Sequence, residues 1–104
     1  MRLEYYPQEK LRREILTIVG KHLELKEYRV FFFGSRVTGR GNDRSDIDVG
    51  IEGPRSVPLG VLATIQEEVS DLPTLYKIDI VDFTRVSPDF RDVALEKIEY
   101  FERA

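Results

Sequence analysis

Three aspartates and a glycine–serine turn are the residues of this 104-residue chain whose types and spacing suit chemistry. Asp46 and Asp48 stand two apart in Ser45-Asp46-Ile47-Asp48-Val49-Gly50-Ile51-Glu52, a stretch in which polar and apolar residues alternate. In an extended strand, that alternation puts Asp46, Asp48, Gly50 and Glu52 on one face and Ile47, Val49 and Ile51 on the other. The two aspartates then leave the same face about 6.5–7 Å apart along it. Crowded carboxylates repel, and each raises the other's pKa unless something positive sits between them. Mg²⁺ suits that place, because it takes carboxylate oxygens, water and substrate phosphates. Asp79 lies mid-way along a second apolar stretch and supplies a third carboxylate if the two strands pair. The plainer reading is the wet face of a surface strand. Asp is a poor strand former, so three of them inside strands favour the metal. Glu52 is on the correct face but further from the pair, and Asp82 falls on the opposite face to Asp79, so neither is expected to be a ligand.

Gly34-Ser35 follows the apolar run Val30-Phe31-Phe32-Phe33. A glycine and a hydroxyl at a strand-to-helix junction allow close backbone approach and expose free N–H groups, the elements of an anion site. By itself the dipeptide is a common turn. Gly34 to Gly41 has the outer glycine spacing of GxxxxGK[ST], but Arg40 replaces the lysine and Gly41 the metal-binding hydroxyl, so the P-loop reading fails. GxGxxG fails as well, since Gly39-Arg40-Gly41 runs on into Asn42-Asp43-Arg44. Arg36 is nearest the turn and could meet phosphate oxygens bidentately. Arg40 and Arg44 could do the same or merely offset nearby acids.

The elements that must position these groups follow from periodicity. Leu11, Ile15, Ile18, Val19 and Leu23 recur at helical spacing behind Pro7, which predicts an amphipathic helix over about 7–25. His22 lies beside that stripe and reads as an ordinary packed or half-exposed residue. Strands are expected over 28–33, 45–52 and 75–83, with a brief helix after Gly34. Ser56 is expected to cap a helix carrying Leu62, Ile65, Val69 and Leu72, stopped by Pro73. Ser87-Pro88-Asp89 reads as the start of a last helix, with Phe90, Val93, Ala94, Ile98 and Phe101 facing inward. The expected fold class is α/β: a small mixed sheet of about three strands with helices on one face.

Residues 1–104 are expected to form one domain with a single core. At 41% apolar and 34% charged, with net charge −3, the chain reads as ordered and soluble. It lacks the basic excess of nucleic-acid modules, so nucleic acid is not an expected partner. No apolar run approaches a membrane span and no signal-like start is visible, so no membrane association and a cytoplasmic location are expected. The absence of cysteine removes disulfides and thiolate metal sites. Few Asn, Gln and Met with many charges lean towards a heat-adapted source. The edges of a three-stranded sheet could pair, which allows a homodimer.

Gly34-Ser35, ten intervening residues and Asp46-Ile47-Asp48 together resemble the GSx10DxD signature of nucleotidyltransferases related to DNA polymerase β. Gly34-Ser35-Arg36 with Gly39 is similar to the family's GSRxxG form, Ser45 to Asp48 to its SDID, and Lys77 to Val81 to the strand bearing its third carboxylate. The short chain resembles the minimal nucleotidyltransferases (MNT) of HEPN/MNT toxin–antitoxin pairs. That resemblance implies a polymerase β palm-like fold and transfer of a nucleoside monophosphate, usually AMP from ATP, to a hydroxyl. It implies Asp46, Asp48 and Asp79 as catalytic, metal-holding residues for two Mg²⁺ ions, and Gly34, Ser35 and Arg36 as nucleotide-binding residues. The implied acceptor is a tyrosine on a HEPN-type partner protein. An acceptor domain is not evident, so either the substrate site is shallow or another chain completes it; Tyr5, Tyr6, Tyr100 and Phe101 could meet that chain or be core trim. A contact-only antitoxin that binds nucleotide is the alternative from another class. Modification of a small hydroxylated compound such as an aminoglycoside is a third.

Overall fold

The structure, a computed structural model, describes residues 3, 6–38 and 46–101, with only the backbone at Ser35 and Thr38. Gly39, Arg40, Arg44 and Ser45 of the motif, and Tyr5, lie outside the described residues. The elements run α1 (Gln8–His22), β1 (Arg29–Phe33), α2 (Ser35–Thr38), β2 (Ile47–Glu52), α3 (Leu59–Ser70), β3 (Ile78–Asp82), α4 (Pro88–Ala94) and β4 (Glu99–Tyr100). The sheet order is β3-β2-β1-β4. β1 is antiparallel to β2 and to β4, while β2 and β3 are parallel. A parallel pair needs a crossover, and α3 provides it. Among the described residues no helix is long and apolar enough to cross a membrane.

Strand alternation sorts the core into two clusters. Val30, Phe32, Ile47, Val49, Ile51, Ile78 and Ile80 face α1 and α3, which bury Leu11, Ile15, Val19, Ile65 and Val69 against them. On the opposite face Phe31, Phe33 and Phe83 form a smaller aromatic cluster with Ala94, Leu95 and Ile98 from the α4 end of the chain. Phe83 is 4.9 Å from both Phe31 and Phe33, ring centre to ring centre. Gly50 lets them close up: a Cβ there would come within 2.4 Å of the Phe31 ring. That open face is therefore roofed with aromatics at one end and left clear at the other.

The predicted last helix is shorter than its apolar spacing suggested. α4 ends at Ala94, and the chain turns and pairs Glu99 and Tyr100 with β1, making four strands rather than three. β1 would otherwise carry an unpaired edge, and buried N–H and C=O groups need partners. The Phe101 amide donates to Val30 O at 3.0 Å. Arg12 of α1 holds the returning strand, bonding Glu99 and the Tyr100 carbonyl at 3.2 Å each while its guanidinium lies over Phe32 and Phe101. Phe101 is buried as expected, but Phe90 and Val93 are 45% and 68% exposed. Tyr6 is buried as well, bonded to Glu14.

Ser56 does not cap α3: Pro58 is at the N-cap, no side chain caps the helix, and the Ser56 hydroxyl pairs with Thr84 instead. Ser87 does cap α4, its hydroxyl accepting from the Phe90 amide. His22 sits at the end of α1 and pairs with Glu68 of α3.

Candidate functional site

Gly34 ends β1 with φ +85°, a left-handed conformation that favours glycine. Space demands glycine there too, since a Cβ would lie 2.3 Å from Asp48 Oδ2. The turn is thus shaped around a carboxylate. α2 starts at once, the Val37 amide bonding back to Gly34 O at 3.1 Å. In the sheet, Asp48 is opposite Phe33 on one side and Asp79 on the other. Neighbouring strands lie about 4.8 Å apart, and matched register sends both aspartate side chains to the same face.

Asp48 is half-buried and its pKa is pushed up to about 6. Burial is the main cause, followed by the charge of Asp79 and then that of Asp46. Among the described residues no cation is bonded to it. Asp46 precedes β2 and is partly exposed, with Lys77 Nζ at 3.8 Å. Gly34, Asp48 and Asp79 line one cleft of about 670 Å³ with Phe33, Gln66, Ile80, Val81, Phe90, Val93, Ala94 and Glu96. Asp46 is outside that lining. Consistently, no group of three acidic, histidine or cysteine residues among the described ones is already gathered closely enough to hold a metal ion. The donors nevertheless fit Mg²⁺: two adjacent carboxylates with a third two residues along the chain, all hard oxygen ligands.

The Arg36 guanidinium lies 4.8 Å from the centre of the Tyr76 ring. Glu52 is engaged by Arg29 and Arg91. Asp82 is buried at the end of β3, accepting from the Val57 amide at 2.8 Å and from the amide and hydroxyl of Thr84, with Arg85 alongside. It ties down the loop before α3, a structural task that its strand-end position suggested. Gln66, Phe90 and Val93 belong to the cleft; the sequence marked Phe90 and Val93 only as the inner side of the last helix and did not single out Gln66. Gln66 did carry a signal: it is a polar residue at position i+4 from Leu62, beside Ile65 and Val69 on the buried side of its helix.

The family pattern described as "Polymerase beta, Nucleotidyltransferase" matches residues 9–103, nearly the whole chain. The chain belongs to the polymerase beta nucleotidyltransferase family. Within that family it is similar to a Haemophilus influenzae protein described as "Probable protein adenylyltransferase MntA", 33% identical over 92 residues, covering 85% of this chain and 79% of the relative. Two solved structures share the nucleotidyltransferase fold. One is a toxin–antitoxin with AMP-PNP, with TM-score 0.71 at 15% identity over 89% of this chain and 73% of that one. The other is the tri-AMPylated Shewanella oneidensis HEPN toxin in complex with MNT antitoxin, with TM-score 0.71 at 13% identity over 94% and 74%. The strands that carry the paired aspartates are thus the core of a nucleotidyltransferase.

Proposed function

We propose that this nucleotidyltransferase moves AMP from ATP to a hydroxyl on a HEPN-type partner protein, with Mg²⁺, as the antitoxin of a toxin–antitoxin pair. The observation that carries this reading is the Asp48–Asp79 pair: adjacent in register, on one open face, against a glycine turn cut to the shape of the carboxylate. The adenylyltransferase relative and the MNT–HEPN structural neighbours support AMP as the group and a HEPN protein as the acceptor.

Asp46, Asp48 and Asp79 would hold two Mg²⁺ ions, which when bound neutralise the triphosphate and make the acceptor hydroxyl easier to ionise. The chain's own part is alignment, which is most of what phosphoryl transfer asks of a protein. The backbone at Gly34 and Ser35 receives the β- and γ-phosphates, and Arg36 adds a cation on leaving Tyr76. The apolar side of the cleft, with Phe33, Phe90 and Val93, offers a surface for the nucleoside. Asp79 takes the proton of the attacking hydroxyl. The new bond joins that oxygen to the α-phosphorus, and the electrons of the broken P–O bond leave with pyrophosphate.

The test supplies labelled ATP, Mg²⁺ and the protein encoded beside this one. Labelled AMP should pass to the partner, and Asp48→Asn should slow transfer on the order of a thousandfold, as expected for losing several kcal/mol of charge stabilisation. Neutralisation of the partner by Asp48→Asn without any transfer would instead mean an antitoxin that acts by contact alone.

A further inference from the structure

β3 is an outer strand of the sheet, so one of its two backbone edges has no strand beside it among the described residues. The bonds to β2 identify which edge. The Ile47 amide donates to Lys77 O at 2.8 Å, and the Phe83 amide donates to Ile51 O at 2.9 Å. Backbone groups of successive residues in a strand point to alternate edges, so Lys77, Asp79, Val81 and Phe83 present theirs to β2. Those of Ile78 and Ile80 point the other way, where an outer strand normally leaves them to water.

Here they meet a side chain. Gln66 of α3 reaches around the edge, its Nε2 donating to Ile78 O at 2.8 Å and its Oε1 accepting from the Ile80 amide at 2.8 Å. One primary amide thus makes the two bonds that a further strand would make, and it makes them on the residues flanking Asp79. The Nε2 also reaches Ser70 Oγ at 3.1 Å, and the Ile78 carbonyl and Ile80 N–H, one able only to accept and the other only to donate, hold the amide one way round. The same side chain lines the cleft that contains Asp48 and Asp79.

We infer that Gln66 is the positioning residue for Asp79: by clasping the two flanking peptides it fixes where the Asp79 carboxylate stands relative to Asp48. The inference rests on the nucleotidyl-transfer reading above and adds a residue to it. A carboxylate on an unclasped outer strand can move with the strand, and an error of about 1 Å at a phosphoryl-transfer site is costly. Gln66 touches neither nucleotide nor acceptor in this scheme. Its effect passes through the backbone.

The test is Gln66→Met, which keeps the side chain's length and apolar packing but makes neither bond, with Gln66→Ala as a second variant should Met disturb the helix. Thr64→Ala, which removes only a bond to Gly60 O on the same helix, is the control. In the protein without Mg²⁺ or ATP, exchange of the Ile80 amide should quicken roughly fivefold or more in Gln66→Met, as the loss of one hydrogen bond implies. Assayed well below every variant's melting temperature, kcat for AMP transfer should fall about 10- to 100-fold, the range for losing a partner of a metal-holding group. KM for ATP should stay within about twofold, because the phosphate turn is untouched. Full kcat in an active protein whose Gln66→Met variant exchanges Ile80 freely would overturn the positioning role and leave the function standing. A parent protein that transfers no AMP would overturn both.

Discussion

Glu52, at the end of β2, is bonded by Arg29 and by Arg91, the latter at 2.8 Å, whereas Asp48, four residues earlier on the same face, has only carboxylates for charged neighbours among the described residues. Both are partly buried and both lie beside the aromatic cluster, so neither burial nor strand position separates them. At one end of the face the chain supplies its own counter-charge. At the other, no such counter-charge is found among the described residues, and burial, followed by the charges of Asp79 and Asp46, raises Asp48 to about 6. A carboxylate that only decorated a surface would gain from an arginine as Glu52 does. Under the proposed function, Asp48 and Asp79 are where a charge that arrives with the substrate would sit.

Substitutions at the two ends should fail in different ways. Gly34→Ala should be the most damaging, since it forces an L-residue into the left-handed region, worth about 1–2 kcal/mol, and drives a methyl into the Asp48 carboxylate. A melting temperature lower by about 10 °C and loss of transfer together are the expected result. Glu52→Gln should cost about 1 kcal/mol, because both arginines are roughly half exposed and solvent screens them. Melting should fall about 4–8 °C with AMP transfer unchanged, and an equal loss of activity would erase the distinction between the two ends. Lys77→Ala removes an exposed 3.8 Å contact to Asp46 and should shift stability by less than about 0.5 kcal/mol. A larger loss would mean that Lys77 already serves as the site's cation.

Part of the geometry was legible in the sequence because it is local. The Gly-Ser junction marked the turn that Gly34's positive φ requires, and the expected strand pairing sets Asp79 beside Asp48, whereas Asp46 precedes β2 and stays outside the cleft. What escaped depends on contacts distant in sequence. Phe90, Val93, Ala94, Ile98 and Phe101 have helical spacing, yet pairing with β1 wins at Glu99 and Tyr100, since edge bonds outweigh the helix propensity of one more turn. Ser56 looked like a cap, but Pro58 fixes where α3 begins. Arg36 reads as a phosphate ligand by position, and only the fold reveals the Tyr76 ring beside it. Gln66 is polar on a buried helix side, which a two-letter pattern treats as a lapse, although its partners are backbone groups that no pattern displays.

The raised Asp48 pKa can be measured directly by following melting temperature against pH in the parent protein and in Asp48→Asn, with and without millimolar Mg²⁺. Asp48 has a folded pKa raised from 3.8 to about 6, so the protonated form is the one that folding favours. Its contribution to stability is present below about pH 4 and is lost as pH rises through about 6. Without Mg²⁺, the parent should therefore lose ground to Asp48→Asn across that window. Mg²⁺ should restore the parent above pH 6, since binding to the folded state alone stabilises it, and should do little for Asp48→Asn. A parent indifferent to Mg²⁺ at every pH, or an Asp48→Asn variant that gains as much from it, would contradict the account.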